Sequence, residues 1–355
     1  MNHYILVINP GSTSTKVAIF KDYDTIFEEK IIHNLDLILS YPNIISQLEF
    51  RKQAIISALE KANFDCHNLT GICGRGGMLK PLESGTYMIS DEMVRDLCEA
   101  KYGQHASNLG TLIAYEIGKN YNIPAYTVNP VSVDEMDDIA RISGIPGIVR
   151  KSFFHALNHK AIGRQVAIDY NGNYEDMNLI IAHLGGGISV AAHHHGRVID
   201  VNESLEGDGP MTPERSGSVP LGQLYEMCFS GLYTLEEIRK MNHGHGGLSA
   251  YLGTNNAIEI ISRINKGDEY AKLIFYAMIY QIAKEIGAYA TVLNGDVDFI
   301  VLTGGLAYED YLVTKLIKRV NFIAEVLVYP GENEMLSLAK GAIQVLNNHE
   351  TAKVY

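Results

Sequence analysis

Residues 8–16 read INPGSTSTK and follow directly on the apolar run YILV at 4–7. The segments on either side, 4–8 and 15–20, are rich in β-branched and aromatic residues and read as strands. Between them lie Gly11, the hydroxyls of Ser12, Thr13 and Ser14, and Lys16. A turn of this composition is either a polar hairpin or a cradle for an anion. Backbone N–H groups and small hydroxyls form a nest, Lys16 adds a point charge, and Gly11 keeps the turn tight. The G-x-x-x-x-G-K spacing of a P-loop is missing, and a strand follows where that motif needs a helix. The stretch by itself leaves both readings open.

Displacing the chain by 174 residues lays LVINPGSTSTKVAIF over IIAHLGGGISVAAHH, with Gly11 above Gly185. Strand, glycine turn and second strand superpose, which points to a duplicated domain. In the second copy HLGGGIS, residues 183–189, places Gly185, Gly186 and Gly187 in a row, where a bulky group can approach the backbone. TGGLA, residues 303–307, is a third glycine turn, with Gly304 and Gly305 ahead of a helix expected near Tyr308. A nucleotide can rest against such a helix start.

The 355 residues exceed one ordinary hydrophobic core and fit two domains. We expect an α/β chain of two duplicated domains, 1–142 plus 333–355 and 143–332, with the last helix packing back onto the first domain. Helical periodicity runs over 50–63, 90–100 and 104–121, and 268–293 reads as a long buried helix. The net charge of −12, with Lys and Arg scattered, gives no footprint for nucleic acid or an anionic membrane. Cys66, Cys73, Cys98 and Cys228 show no C-x-x-C spacing, which predicts free thiols, and no signal segment is visible. A cytoplasmic protein is therefore expected.

Two arginines sit in irregular, glycine-rich settings. Arg75 lies in CGRGGM and Arg215 in PMTPERSGSVP, where the guanidinium fork suits carboxylate or phosphoryl oxygens. His155 in KSFFHALNHK and His183 at the head of the triple-glycine turn are candidate donors to developing charge, with His105 a weaker one. The run His193-His194-His195 is read as a solvated hairpin end, since adjacent strand residues point to opposite faces and do not converge on a metal.

INPGSTSTK and LIIAHLGGGISVAA resemble the two signature motifs of the acetokinase family, the acetate, propionate and butyrate kinases. With TGGLA they also resemble the phosphate and adenosine motifs of the actin, hexokinase and heat-shock ATPase superfold. The short chain, HLGGG with Gly186 where acetate kinases carry Asn, and NPVSVDEMDDIARISGIPG are similar to the butyrate kinase branch. The resemblance implies an active site in the cleft between the domains. It also implies transfer of the γ-phosphoryl group of ATP to a carboxylate with Mg²⁺, yielding an acyl phosphate and ADP, in an oligomer of at least two chains. It places Arg75, Asp134, His155 and Arg215 at the reaction and Glu334, Asn9 and Asp134 at the metal. Asn9, Gly11, Ser12, Ser14 and Lys16 fall on the phosphates or nucleotide, as do His183, Gly185, Gly186 and Gly187, with Gly304 and Gly305 at the ribose, adenine or α-phosphate. Phe154 and His105 fall at the acyl pocket.

A carboxylate is already ionised near neutral pH, so the chemistry needs positioning and charge neutralisation rather than a strong base. A sugar kinase of the same superfold needs a carboxylate base, for which Asp134 is available. The flanks of Arg75 and Phe154 lack the Asn, Asp and Glu of a sugar pocket. A chaperone- or filament-like binding protein needs large insertions for which this chain has no room.

Overall fold

The computed structural model describes residues 2–205 and 207–355. The chain falls into two units, the first made of residues up to Asp134 together with Asn333–Tyr355, the second of Glu135–Glu332. Residues 135–142, expected with the first domain, belong to the second unit. The reason is local: the Asp137 N–H donates to Ile199 O at 2.9 Å, and the Glu135 carboxylate accepts from the Val198 N–H at 2.9 Å and from buried Lys160.

In the first unit the strands are β1 (Tyr4–Pro10), β2 (Ser14–Lys21), β3 (Asp24–Ile32), β4 (Gly71–Gly74), β5 (Thr86–Met88) and β6 (Ala125–Val128). They form one sheet in the order β3-β2-β1-β4-β6-β5. β1 to β3 make an antiparallel meander, β4 and β6 continue parallel to β1, and β5 closes the edge antiparallel. Every residue of β4 and β6 is buried, as expected of parallel strands covered on both faces. One cover is the helix Asn108–Tyr121; on the opposite face the closing helix Glu334–Leu346 brings Leu346 against Ile5 at Gly71.

The second unit repeats this plan. β7 (Asn178–Leu184), β8 (Ile188–His194) and β9 (Arg197–Val201) form the meander, and β10 (Phe299–Gly304) and β11 (Glu325–Pro330) run parallel to β7. The order is β11-β10-β7-β8-β9. β7 follows β1 at the 174-residue displacement over its whole length, so the repeat seen in the sequence is a structural one. The hairpins differ by one residue: pairing closes at Pro10↔Thr15 in the first and at Leu184↔Ile188 in the second.

Strand alternation sorts the second sheet into two faces. Ile180, Ala182, Leu184, Ile188, Val190 and Ala192 face the helix Glu269–Val292 and its Phe275, Met278, Ile279 and Ile282. Leu179 and Ile181 face the other way, onto Val166, Ala167 and Tyr174. The long helix starts where its cap dictates, with the Asp268 carboxylate accepting from the Ala271 N–H at 2.9 Å. The helix expected near Tyr308 begins instead at Asp310, after a single 3₁₀ turn over Gly305–Tyr308. Among the described residues no helix is long and apolar enough to cross a membrane.

Candidate active site

The first hairpin owes its shape to a residue outside it. Arg51, on the helix Leu48–Lys61, is 1% exposed and donates to Gly11 O at 2.8 Å, Ser12 O at 2.8 Å and Ser14 O at 3.0 Å. It also reaches Thr15 Oγ1 at 3.2 Å and Gln47 Oε1 at 2.9 Å. Among the described residues no carboxylate pairs with it, and burial pushes its pKa down from the usual arginine value. A buried cation with neutral partners stands only when its donors are satisfied, and here the turn's carbonyls satisfy them. Gln47, Thr15 and His33, which bonds Thr15 Oγ1 at 2.9 Å, complete the cluster. The sequence reading missed Arg51, which sits at the start of an ordinary helical pattern. Ser12, Thr13 and Lys16 are exposed and Ser14 half-buried. Gly11 is not in the left-handed region, and a Cβ there would meet Ser14 at 3.6 Å, an ordinary contact. The turn therefore does not need glycine for tightness, contrary to expectation.

Beside this hairpin three expected residues come together. The Glu334 carboxylate, at the start of the closing helix and 7% exposed, accepts from Asn9 Nδ2 at 2.7 Å and forms an ion pair with Arg75. Arg75 follows β4, and its N–H extends the sheet by donating to Ile8 O at 2.9 Å. Gly74 makes this geometry possible: a Cβ there would collide with the Gly110 carbonyl at the start of helix Asn108–Tyr121. Glu334, expected to hold the metal, is thus first of all the carboxylate that orients Arg75.

In the second unit the triple-glycine turn is held from a loop. The Thr212 hydroxyl donates to Gly186 O at 2.6 Å and accepts the Arg215 N–H at 2.9 Å. The Arg215 guanidinium lies against Gly187, leaving no room for a Cβ, and donates to Ser204 O. Its Nε is buried without a hydrogen-bond partner among the described residues. At Gly185 a Cβ would press on the His183 ring at 3.1 Å, whereas at Gly186 it would meet only the Glu214 carboxylate, at 3.6 Å. Gly304 has φ +86° and exchanges backbone hydrogen bonds with Gly331 at 3.2 and 3.0 Å. A side chain there would strike Leu184, so this turn is locked to the end of β7.

Four histidines of the second unit, His155, His159, His183 and His193, form one array. His155 and His159, one turn apart on the helix Ala156–Asp169 and its N-cap, reach Ser189 Oγ with Nδ1 and Nε2 respectively, each at 2.9 Å. His159 Nδ1 lies 3.1 Å from His193 Nε2, and His193 Nδ1 lies 2.6 Å from the Tyr174 hydroxyl. His155 stacks on His183 with centroids 3.8 Å apart. His183 itself is 1% exposed, with Nδ1 2.9 Å from Asn158 Oδ1 and Nε2 3.1 Å from Glu332. Both of its nitrogens are engaged within the unit, so it buttresses His155. The reading of 193–195 as a solvated end fails at its first residue. His193 is fully buried, because alternation turns it toward the helix while His194 faces out to bond Asn178 at 2.7 Å.

Phe154 is 3% exposed, with its ring edge-on to His159. Asp134 ends the first unit, its N–H donating to Leu82 O at 2.8 Å. His105 Nδ1 lies 2.7 Å from Ser107 Oγ, at the start of the helix Asn108–Tyr121. Among the described residues no three His, Cys, Asp or Glu side chains are grouped to hold a metal.

Two sheets with the same meander-plus-parallel plan, each with a glycine hairpin at its centre, define the actin, hexokinase and heat-shock ATPase superfold. Residues 146–353, more than half of the chain, match the acetokinase family, and the chain belongs to that family. It is similar to the crystal structure of acetate kinase from Porphyromonas gingivalis, with 21% identity, a TM-score of 0.79, and coverage of 97% of this chain and 100% of that one. A propionate kinase from Francisella tularensis is similar at 20% identity and TM-score 0.76, covering 96% and 99% of the two chains. Acetate kinase from Entamoeba histolytica follows at 18% and 0.75, covering 95% and 98%. At these identities the likeness carries the fold.

Proposed function

We propose that the protein transfers the γ-phosphoryl group of ATP to a short-chain carboxylate, butyrate or a branched acid, giving an acyl phosphate and ADP reversibly. The observation that carries this reading is the Arg215 guanidinium against the triple-glycine turn, with a buried Nε that lacks an acceptor. A buried donor left unmade costs about 1–3 kcal/mol, and an incoming phosphoryl or carboxylate oxygen would recover it. Arg75, oriented by Glu334 and Asn9 in the first unit, is a second guanidinium fork of the kind that binds carboxylate or phosphoryl oxygens. His155 donates to the charge that develops on the transferring group. The nucleophile is ionised from the start, so the residues orient two anions and offset their repulsion.

Mg²⁺ enters with the nucleotide as part of the substrate. The side-chain oxygens of Asn9 and Glu334 are hard donors, which suits an ion that keeps several waters and takes most of its ligands from phosphate. Bound there, it would neutralise charge on the phosphate chain.

A hydroxamate trap for acyl phosphate, run with ATP, Mg²⁺ and acids from C2 to C6, tests the reading. The highest kcat/KM is expected with a C4 or branched acid. A maximum at acetate or propionate replaces the acid but keeps the reaction. No hydroxamate from any acid overturns the reading, and ADP release driven by glucose or glycerol favours a sugar kinase. Arg75→Ala and Arg215→Ala should each lower kcat by roughly 100-fold or more, the usual cost of removing a preorganised charge donor. Near-normal turnover in both removes the assigned site.

A further inference from the structure

The second unit contains a chain of side chains that the proposed reaction does not use directly: Tyr174, His193, His159 and Ser189, ending on His155. Consecutive polar atoms are 2.6, 3.1, 2.9 and 2.9 Å apart. The four are buried, Tyr174 at 3% and the others at 0% exposure. We infer that this chain is a tautomer lock: it makes His155 Nδ1 the acceptor of the Ser189 hydroxyl and so places the ring proton on Nε2.

The argument is one of donor counting. A neutral imidazole has one N–H and one acceptor nitrogen, and a hydroxyl donates one proton. Linked head to tail, such groups can be ordered in only two directions. Burial drives both His159 and His193 well below the ordinary histidine pKa, and the Lys160 charge adds to this at His193, so both are neutral at physiological pH. Lys160 is itself fully buried, tied to Glu135 and to Gly196 O at 2.7 Å, and its ammonium stands over the Tyr174 ring at 5.8 Å.

Tyr174 selects the direction. Its hydroxyl carries a proton, since burial raises its pKa far above the ordinary tyrosine value, and among the described residues its hydrogen-bond partner is His193. A buried phenol must donate to be satisfied. It therefore donates to His193 Nδ1. His193 Nε2–H then donates to His159 Nδ1, and His159 Nε2–H to Ser189 Oγ. The Ser189 hydroxyl is left to donate to His155 Nδ1. That nitrogen is an acceptor, so the ring proton lies on Nε2. Stacking on His183 with planes 10° apart fixes the ring's orientation. No proton moves along the chain; Tyr174, His193, His159 and Ser189 are positioning residues. Of these, His193 is the first residue of the triple-histidine run.

The consequence for catalysis rests on the carboxylate kinase reading, but the tautomer itself can be seen without substrate. Protein labelled with ¹⁵N-histidine, studied by long-range ¹H–¹⁵N correlation near neutral pH, reports which ring nitrogen is protonated. His155, His159 and His193 are expected as Nε2–H tautomers. Tyr174→Phe removes the terminal donor, and Ser189→Ala cuts the chain next to His155 with a smaller structural change. Each should turn His155 into a mixture of tautomers. Each should also lower kcat by roughly tenfold, with KM for acid and nucleotide within about twofold, as expected when an imidazole loses its orienting partner. His155 found as the Nδ1–H tautomer in the wild type overturns the proposal. So does an unchanged His155 signal in both variants. A wild-type pattern of three Nε2–H tautomers that loosens at His155 in both variants, with no hydroxamate from any acid, supports the lock and removes only the assigned reaction.

Discussion

The two glycine hairpins share a backbone plan and are held by different means. The first is clasped by a single buried cation, Arg51, which spends its donors on three turn carbonyls, Thr15 and Gln47. The second is held mainly by a hydroxyl, Thr212, while among the described residues the Arg215 side chain donates to one backbone carbonyl and keeps Nε unmatched. A cation whose donors are all used is structural; one held with a donor unused is ready for a ligand. Duplication has preserved the strands and the turn position, and divergence lies in where the charge sits.

Removing the two arginines should therefore have opposite signatures. Arg51→Met should lower the unfolding free energy by about 3 kcal/mol, since several buried carbonyls lose their donor at once. Arg215→Met should change it by less than about 1 kcal/mol while abolishing most turnover. Urea denaturation of the two variants measures the difference. Equal stability losses would break the comparison.

Acid should also test the clasp on the first hairpin. His33 is 5% exposed, bonds Thr15 and donates its own N–H to Thr13 O at 2.9 Å. Burial, with help from the Arg51 charge, lowers its pKa to about 4. The unfolded chain then binds a proton below pH 6.5 that the folded chain refuses until about pH 4. Stability from this group is complete above pH 6.5 and falls as pH drops through that window. His33→Gln keeps a side chain able to bond Thr15 and should reduce the loss between pH 7 and 4.5 by about 2 kcal/mol. Parallel pH–stability curves for wild type and variant would show that His33 is not the sensor.

Much of the fold was legible because strand periodicity and glycine turns are local signals. The displacement of 174 residues locates β7 from β1 by sequence alone, and 268–293 reads as the long helix from its apolar faces. What escaped was long-range. Arg51 looks like any polar residue in a helical pattern, and its burial is set by carbonyls some forty residues earlier. His193 was placed in solvent with the rest of its run, although the alternation that argues against a metal there also sends the first histidine inward. The boundary after Asp134 was missed since the edge bond of Asp137 to β9 has no sequence signature. Arg75, Glu334 and Asn9 are distant in sequence and adjacent in the fold; resemblance put Glu334 and Asn9 at a metal and Arg75 at the reaction, and geometry joins Glu334 to Arg75 by an ion pair and to Asn9 by a hydrogen bond.

The smallest test bears on the glycines themselves. Gly11 and Gly187 occupy comparable turns, yet an added methyl meets different surroundings. At Gly11 the nearest atoms are Ser14 O and Oγ at 3.6 Å, so Gly11→Ala should leave stability within about 0.5 kcal/mol and kcat within about twofold. At Gly187 the methyl would overlap the Arg215 guanidinium, with Cζ at 2.8 Å. The obstructing group is the end of a flexible side chain, so the fold accommodates by moving Arg215 and the stability cost stays near 1 kcal/mol. Moving that guanidinium by even an ångström misplaces the donor that we propose faces the phosphoryl group, so Gly187→Ala should lower kcat roughly tenfold or more. Steady-state kinetics of the two alanine variants, with thermal melting as the control for folding, reads both. A Gly187→Ala enzyme as active as Gly11→Ala would mean that Arg215 has room to work from more than one position, and that the triple-glycine turn is not there to seat it.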